Sequence, residues 1–214
     1  MDALRNMPDS NDATDSERAS GASKDATAAV TTGIVPPAAS AVTPDTADVT
    51  DGPVGPVPYA PEGWTWERLM DEALAEARLA QAEGEVPVGA VVVDKAGRII
   101  GRGHNRCLRD NDPSAHAEMV ALRMAATTTA NYRLGGTFLV VTLEPCLMCA
   151  GAIVHARVEG VVYGAEDPKA GAVTSCLEAF EQPFLNHRPW HMGGVRRRAC
   201  TAILKDFFNG RRTD

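Results

Sequence analysis

From Trp66 onward, apolar side chains recur at three- and four-residue intervals. Trp66, Leu69, Met70, Ala73, Leu74 and Ala77 form one stripe, which predicts an amphipathic helix entered after Gly63 and ended at Gly84. The pattern then changes period. Val88-Gly-Ala-Val-Val-Val93 is a short apolar run between Pro87 and Asp94; Gly97 turns the chain and Arg98 to Gly103 returns, so this segment predicts a hairpin. Asp112-Pro113-Ser114 reads as a helix start, with the helix running over 115–126. Thr137 to Thr142 is β-branched and apolar and predicts a buried strand. Pro145 opens a further helix to about residue 156, and Val161 to Gly164 is another strand. Residues 165–195 are broken by Pro168, Gly171, Pro183, Pro189 and Gly193-Gly194 and read as irregular. Ala199 to Phe208 reads as a closing helix. Helices alternating with strands predict a layered α/β domain.

No such pattern exists upstream. Residues 1–60 are Ala, Asp, Thr, Ser, Pro and Gly with Tyr59 as their one aromatic, too little apolar surface to offset the entropy of ordering them. They read as a disordered acidic tail, and residues 61–214 as the folded domain. The charge divides along the same line. The tail holds nine acidic and three basic side chains, a balance of −6, which leaves −1 for the rest of a chain at −7. The tail lacks the apolar core of a signal peptide and the Arg-rich, acid-poor character of a transit peptide. The sequence has no run of eighteen apolar residues, so no membrane-spanning helix is expected.

Five cysteines are present: Cys107, Cys146, Cys149, Cys176 and Cys200. An odd count without a secretory signal fits a reducing, cytoplasmic setting better than a disulfide framework. Cys107, Cys176 and Cys200 are expected to be small core or surface residues, with Cys107 placed near Asn105. Cys146 and Cys149 differ, because they form Pro145-Cys-x-x-Cys149 and are preceded by His116-Ala-Glu118. One imidazole and two thiolates are a protein ligand set for catalytic zinc, leaving a fourth tetrahedral position for water. Both half-motifs fall where a helix begins, and there unpaired N–H groups favour the thiolate. His116 and Glu118 would not share a face in mid-helix, but first-turn side chains can point past the helix end toward a common point.

A zinc-bound water has its pKa lowered to about 7 in the favourable reference case, and Glu118 is close enough to carry its protons. Together these features point to hydrolysis at an electrophilic carbon, such as an amidine-like ring carbon bearing an amino group. H-x-E followed by P-C-x-x-C is the signature of zinc nucleobase deaminases. Two other assignments remain open at this level. Glu118 could itself ligate the metal, or Cys107 or Cys176 could close a structural four-ligand site. His104, His155, His187 and His191 are assigned to surface or hydrogen-bonded roles, and Glu144 to helix capping.

Further blocks carry a family resemblance. Glu85-Val-Pro-Val-Gly-Ala90, Gly103-His-Asn105, Ala115-His-Ala-Glu118, Asn131-Tyr-Arg-Leu134 and Thr142-Leu-Glu-Pro-Cys-Leu-Met-Cys-Ala-Gly151 resemble the bacterial tRNA-specific adenosine deaminases. So do His155-Ala-Arg157, Val162-Tyr-Gly-Ala165, Asp167-Pro-Lys169, Asn186-His-Arg188 and Asp206-Phe-Phe208. The resemblance covers about residues 63–212. It implies a three-layer α/β/α, cytidine-deaminase-like fold with a mixed five-stranded sheet. It also implies a homodimer, one zinc per subunit, and conversion of the wobble adenosine of an arginine tRNA to inosine in its anticodon stem-loop. His116, Cys146 and Cys149 would hold the zinc, and Glu118 would shuttle protons. Asn105 would contact the flipped nucleoside and Asp167 would lie near the preceding nucleotide. Phe208, Arg211 and Arg212 would meet the anticodon loop. Residues 186–214 carry a local +5, which fits an RNA footprint and equally an ordinary solvated basic helix. A deaminase of free guanine or cytosine would share the zinc site without a basic rim. A non-catalytic partner subunit would be expected to lack Glu118. The acidic tail departs from the family plan, as do Cys107, Glu166-Asp-Pro168 and Asn209-Gly210, which is expected to interrupt the last helix.

Overall fold

The computed structural model describes residues 58–211. Residues 1–57 of the expected tail, together with Arg212, lie outside the described residues. The chain forms helix α1 (Trp66–Ala82), strands β1 (Gly89–Asp94) and β2 (Ile99–His104), a single helical turn α2 (Cys107–Asp110) and helix α3 (Ala117–Thr129). Strand β3 (Thr137–Leu143), helix α4 (Leu147–Ala156), strand β4 (Gly160–Ala165), strand β5 (Trp190–Met192) and helix α5 (Arg197–Gly210) follow. The strands make one mixed sheet in the order β2-β1-β3-β4-β5. β1 pairs antiparallel with β2 and β3, while β3, β4 and β5 run parallel.

Helices cover both faces, which explains why the strand sequences read as continuous apolar runs. Ala90, Val92, Leu139, Val141 and Val161 point into one cluster with Ala117, Ala121, Leu122 and Ile153 of α3 and α4. Their neighbours Val91, Val93, Phe138, Val140 and Val162 point the other way, against Trp66, Leu69, Met70 and Ala73 of α1 and Cys200 of α5. A two-residue side-chain period across one sheet thus feeds two cores. Gly101 and Gly103 let α3 lie directly on β2: a Cβ at Gly103 would stand 2.5 Å from the Ala117 carbonyl oxygen and the Ala121 nitrogen. That contact brings the first turn of α3 to the sheet end.

Three local expectations change. Asp112 does not cap a helix. Its Oδ1 accepts from the Ser114 backbone N–H and from the Ser114 hydroxyl, both at 2.7 Å, closing a tight turn, and α3 starts later with His116 as N-cap. The stretch read as irregular contains a short 3₁₀ turn, Ala179–Glu181, and strand β5. The last helix is not interrupted at Asn209-Gly210. It continues through both, and the following Arg211 donates to the Gly84 carbonyl at 2.6 Å and stacks over Phe207.

Candidate active site

The parallel strands β3 and β4 end side by side, and the chain leaving each turns toward one pocket. β3 delivers Glu144, Pro145 and Cys146; β4 delivers Glu166 and Asp167; β2 delivers Asn105. The carboxyl ends of parallel strands are where open α/β sheets bind ligands. The pocket is about 390 Å³, and its lining includes Glu85, Asn105, Cys107, His116, Glu118, Glu144, Cys146, Asp167 and Arg211.

His116 is the N-cap of α3 and Cys146 the N-cap of α4, both with extended backbone and neither making a side-chain cap bond. Two helix N-termini therefore aim the positive ends of their dipoles at one spot, which favours anionic ligands. His116 Nδ1 lies 3.6 Å from the sulfurs of both Cys146 and Cys149. A tetrahedral ion with metal–sulfur bonds of about 2.3 Å and metal–nitrogen bonds of about 2.05 Å places its nitrogen and sulfur ligands about 3.6 Å apart. The three side chains fit zinc without rearrangement. Among the described residues no other group of His, Cys, Asp or Glu converges in this way. Cys107 and Cys176 are not in the cluster, so the four-ligand structural site is not formed.

The electrostatics agree. The hydrogen bond from Cys149, opposed by burial and helped by His116, brings the Cys146 thiol down to about 4. The same pairing, together with burial, pushes Cys149 up. Two adjacent sulfurs in a half-closed site hold one negative charge readily and a second only when a cation arrives. Glu118, 4% exposed, is pushed up to about 7, chiefly by burial.

Asn105 does more than the sequence suggested. Its Oδ1 accepts from the Ala117 N–H at 2.9 Å, supplying the cap that His116 does not, and its Nδ2 donates to the Val86 carbonyl at 3.1 Å. Asp167 lines the pocket, and its Oδ1 accepts from the N–H groups of Lys169 and Ala170. Arg211 lines the pocket, whereas Phe208, 46% exposed, packs edge-on against Phe207 and does not line it. The basic C-terminal field is partly spent within the protein: Arg196 pairs with Asp71 at 3.0 Å and Arg197 with Glu166 at 2.7 Å. His104 faces Glu76 and His187 faces the Val158 carbonyl, as expected of histidines that are not ligands.

Glu85 and Glu144, both 2% exposed, were missed as site residues. Glu85 holds the Arg109 N–H at 2.8 Å and fixes α2 at the pocket wall. Glu144 is not a helix cap; its carboxylate turns toward residues 167–175 instead. Adjacency to Pro145-Cys146 was the only sequence signal for it. Burial pushes this carboxyl up, but the Ser175 hydroxyl and the surrounding backbone N–H groups outweigh that and hold it below the usual carboxylate range.

The cytidine and deoxycytidylate deaminase zinc-binding region matches residues 65–165. A tRNA-specific adenosine deaminase of Haemophilus influenzae is 47% identical over 148 residues, 69% of this chain and 86% of that protein. A structure from work on A-to-I editing by tRNA:A34 deaminases superposes with a TM-score of 0.62 at 47% identity, covering 64% of this chain and 99% of that one. A guanine deaminase from Nitrosomonas europaea superposes with a TM-score of 0.54 at 26% identity, covering 78% of this chain and 93% of that one. The zinc-ligand geometry and these relatives lead to one conclusion: the chain belongs to the bacterial tRNA-specific adenosine deaminases, within the cytidine and deoxycytidylate deaminase superfamily.

Proposed function

We propose that this protein converts adenosine to inosine at the wobble position of a tRNA, with an arginine tRNA as the expected substrate. The observation that carries the reading is the convergence of His116, Cys146 and Cys149 at ligand spacing, beside a buried Glu118, in a family of tRNA deaminases. In this reading His116, Cys146 and Cys149 hold one zinc ion, which when bound makes water available as a nucleophile near neutral pH. Glu118 takes a proton from the attacking water and delivers it to the ring nitrogen beside the reacting carbon. It then takes the proton of the hydroxyl newly bound to carbon and passes it to the departing amine, so that the product carbonyl forms. A carbon–oxygen bond forms, the carbon–nitrogen bond breaks, and ammonia leaves. Burial suits Glu118 to this work, because a carboxyl with raised pKa both accepts and returns a proton. Asn105 holds the first turn of α3, and with it Glu118, and lines the pocket in which the nucleoside would sit. Asp167 and Arg211 line the same pocket and would meet the flanking nucleotides. The other expected anticodon-loop contacts, Phe208 and Arg212, belong to the same reading.

An exposed apolar face beside the site supports a homodimer. Leu147 of α4 stands 62% exposed, Leu177 40% and Phe184 79%, around a groove of about 380 Å³. Contiguous apolar surface of this kind marks association sites. None of the helices formed by the described residues is long and apolar enough to cross a membrane, and no cysteine among them is disulfide-bonded. Cytoplasmic work on tRNA belongs to the same proposal. Incubation with an arginine tRNA anticodon stem-loop should yield wobble inosine. Ammonia release from free guanine or cytosine, with no inosine in the stem-loop, would replace this reading with the free-base one.

A further inference from the structure

We infer that Glu144 is a positioning residue that fixes the substrate-facing wall of the active site, without taking part in the proton chemistry. The inference rests on the proposed tRNA reading for its substrate and on geometry for everything else. Glu144 separates the last residue of β3 from Pro145 and the metal-site Cys146. Its carboxylate is almost fully buried and does not cap α4. Instead the chain between Asp167 and Ser175 folds around it. Oε1 accepts from the backbone N–H groups of Val173, Thr174 and Ser175 at 3.1, 2.7 and 2.9 Å, and from the Thr174 hydroxyl at 3.4 Å. Oε2 accepts from the Asp167 N–H at 3.1 Å and from the Ser175 hydroxyl.

Six donors from one loop thus converge on one side chain. Ionised carboxylates accept such bonds more strongly than neutral groups do, and unpaired buried N–H groups are costly. The loop has few alternatives, because it contains no regular element between Ala165 and Ala179. Two further contacts join it to the metal side. The Ala172 N–H donates to the Pro145 carbonyl at 2.8 Å, and Gly171 bridges to Cys146. Gly171 must be glycine here, since a Cβ would run into the Glu144 carboxylate. The far side of the loop presents Asp167 and Ala170 to the pocket that holds His116 and Glu118. Glu144 therefore ties the wall to the sheet end that carries the metal ligand.

Glutamine cannot replace it. One amide oxygen remains, but the NH₂ group must face N–H and O–H donors. Glu144→Gln should retain one zinc per chain and keep kcat within about threefold, while KM for the anticodon stem-loop rises about tenfold or more, the pattern of lost ground-state binding. Amide hydrogen exchange should speed up at Asp167 and at residues 173–175 in the same variant. This second readout needs no substrate, so it separates failure of the inference from failure of the tRNA reading. Ser175→Ala removes one donor and leaves every backbone bond. It should shift KM and local exchange in the same direction by about two- to threefold, and it keeps the test open if Glu144→Gln does not fold. Unchanged exchange over 167–175 in either variant would overturn the inference. So would an unchanged KM in an active enzyme, or loss of zinc in step with loss of activity in Glu144→Gln.

Discussion

Replacing Asn105 with alanine removes a side chain that holds three elements together. Its amide oxygen caps α3 through the Ala117 N–H, its amide nitrogen binds the Val86 carbonyl, and its own backbone N–H pairs with the Val88 carbonyl. The backbone bond survives Asn105→Ala and the two side-chain bonds do not. Each is a neutral hydrogen bond with a net value of about 1 kcal/mol. The Ala117 bond is also the only side-chain cap recorded for α3, since His116 makes none, and cap losses cost about 0.5–2 kcal/mol. With the Ala117 bond counted once, as the cap, and the Val86 bond at about 1 kcal/mol, the loss should be about 1.5–3 kcal/mol. For a domain of this size each kcal/mol lowers Tm by about 2–4 °C, so the variant should melt about 3–12 °C below the parent. The assay is a thermal melt followed by far-UV circular dichroism on zinc-loaded protein, with metal content measured on the same sample. Activity should fall as well, because the first turn of α3 carries both His116 and Glu118. A Tm within about 1 °C of the parent would refute the capping role, since a lost cap alone costs about 0.5 kcal/mol or more.

Glu118→Gln should keep its zinc and lose turnover by about 10²–10⁴, the usual range for removing a general acid–base group; near-normal rates in a single-turnover assay would remove Glu118 from the proton path. Gly103→Ala should destabilise the domain by about 1–3 kcal/mol or more in urea unfolding, because its methyl group would press on the α3 backbone; a neutral result would show that α3 can retreat from β2. Deleting residues 1–57 should leave deamination of the stem-loop intact, since every described element and all three candidate metal ligands lie beyond Pro58, whose carbonyl accepts from the Trp66 indole at 2.8 Å. A truncated protein that folds but is inactive would assign the tail a part in catalysis.

The sequence was most legible where one segment carries its own signal. The α1 stripe, the Val88–Val93 run and hairpin, and β3 and β4 all lie as the side-chain periods predict. The candidate zinc ligands were legible for a chemical reason, because few other arrangements place His-x-Glu and Pro-Cys-x-x-Cys at two helix starts. What escaped is non-local. β5 has three residues between Pro189 and Gly193, too few for any period. Trp190 is recognisable as a strand residue only once Trp66 and Phe138 stack against it, each 5.7 Å away between ring centroids. Glu144 looked like a cap because a cap is the nearest local partner for an acid before a helix. Its true partners lie more than twenty residues away. Asn209-Gly210 looked like a break because glycine weakens helices. The contacts of Arg211 with Gly84 and Phe207 hold that turn, and no sequence window contains all of them.

The most direct test of the central claim is zinc K-edge X-ray absorption on the purified protein, in parallel with Cys149→Ala. The account predicts one zinc per chain with two sulfur and one imidazole-nitrogen scatterers contributed by the protein, and loss of that metal in Cys149→Ala. A metal-free parent, a four-sulfur spectrum, or a Cys149→Ala protein that retains the same zinc signal would contradict it.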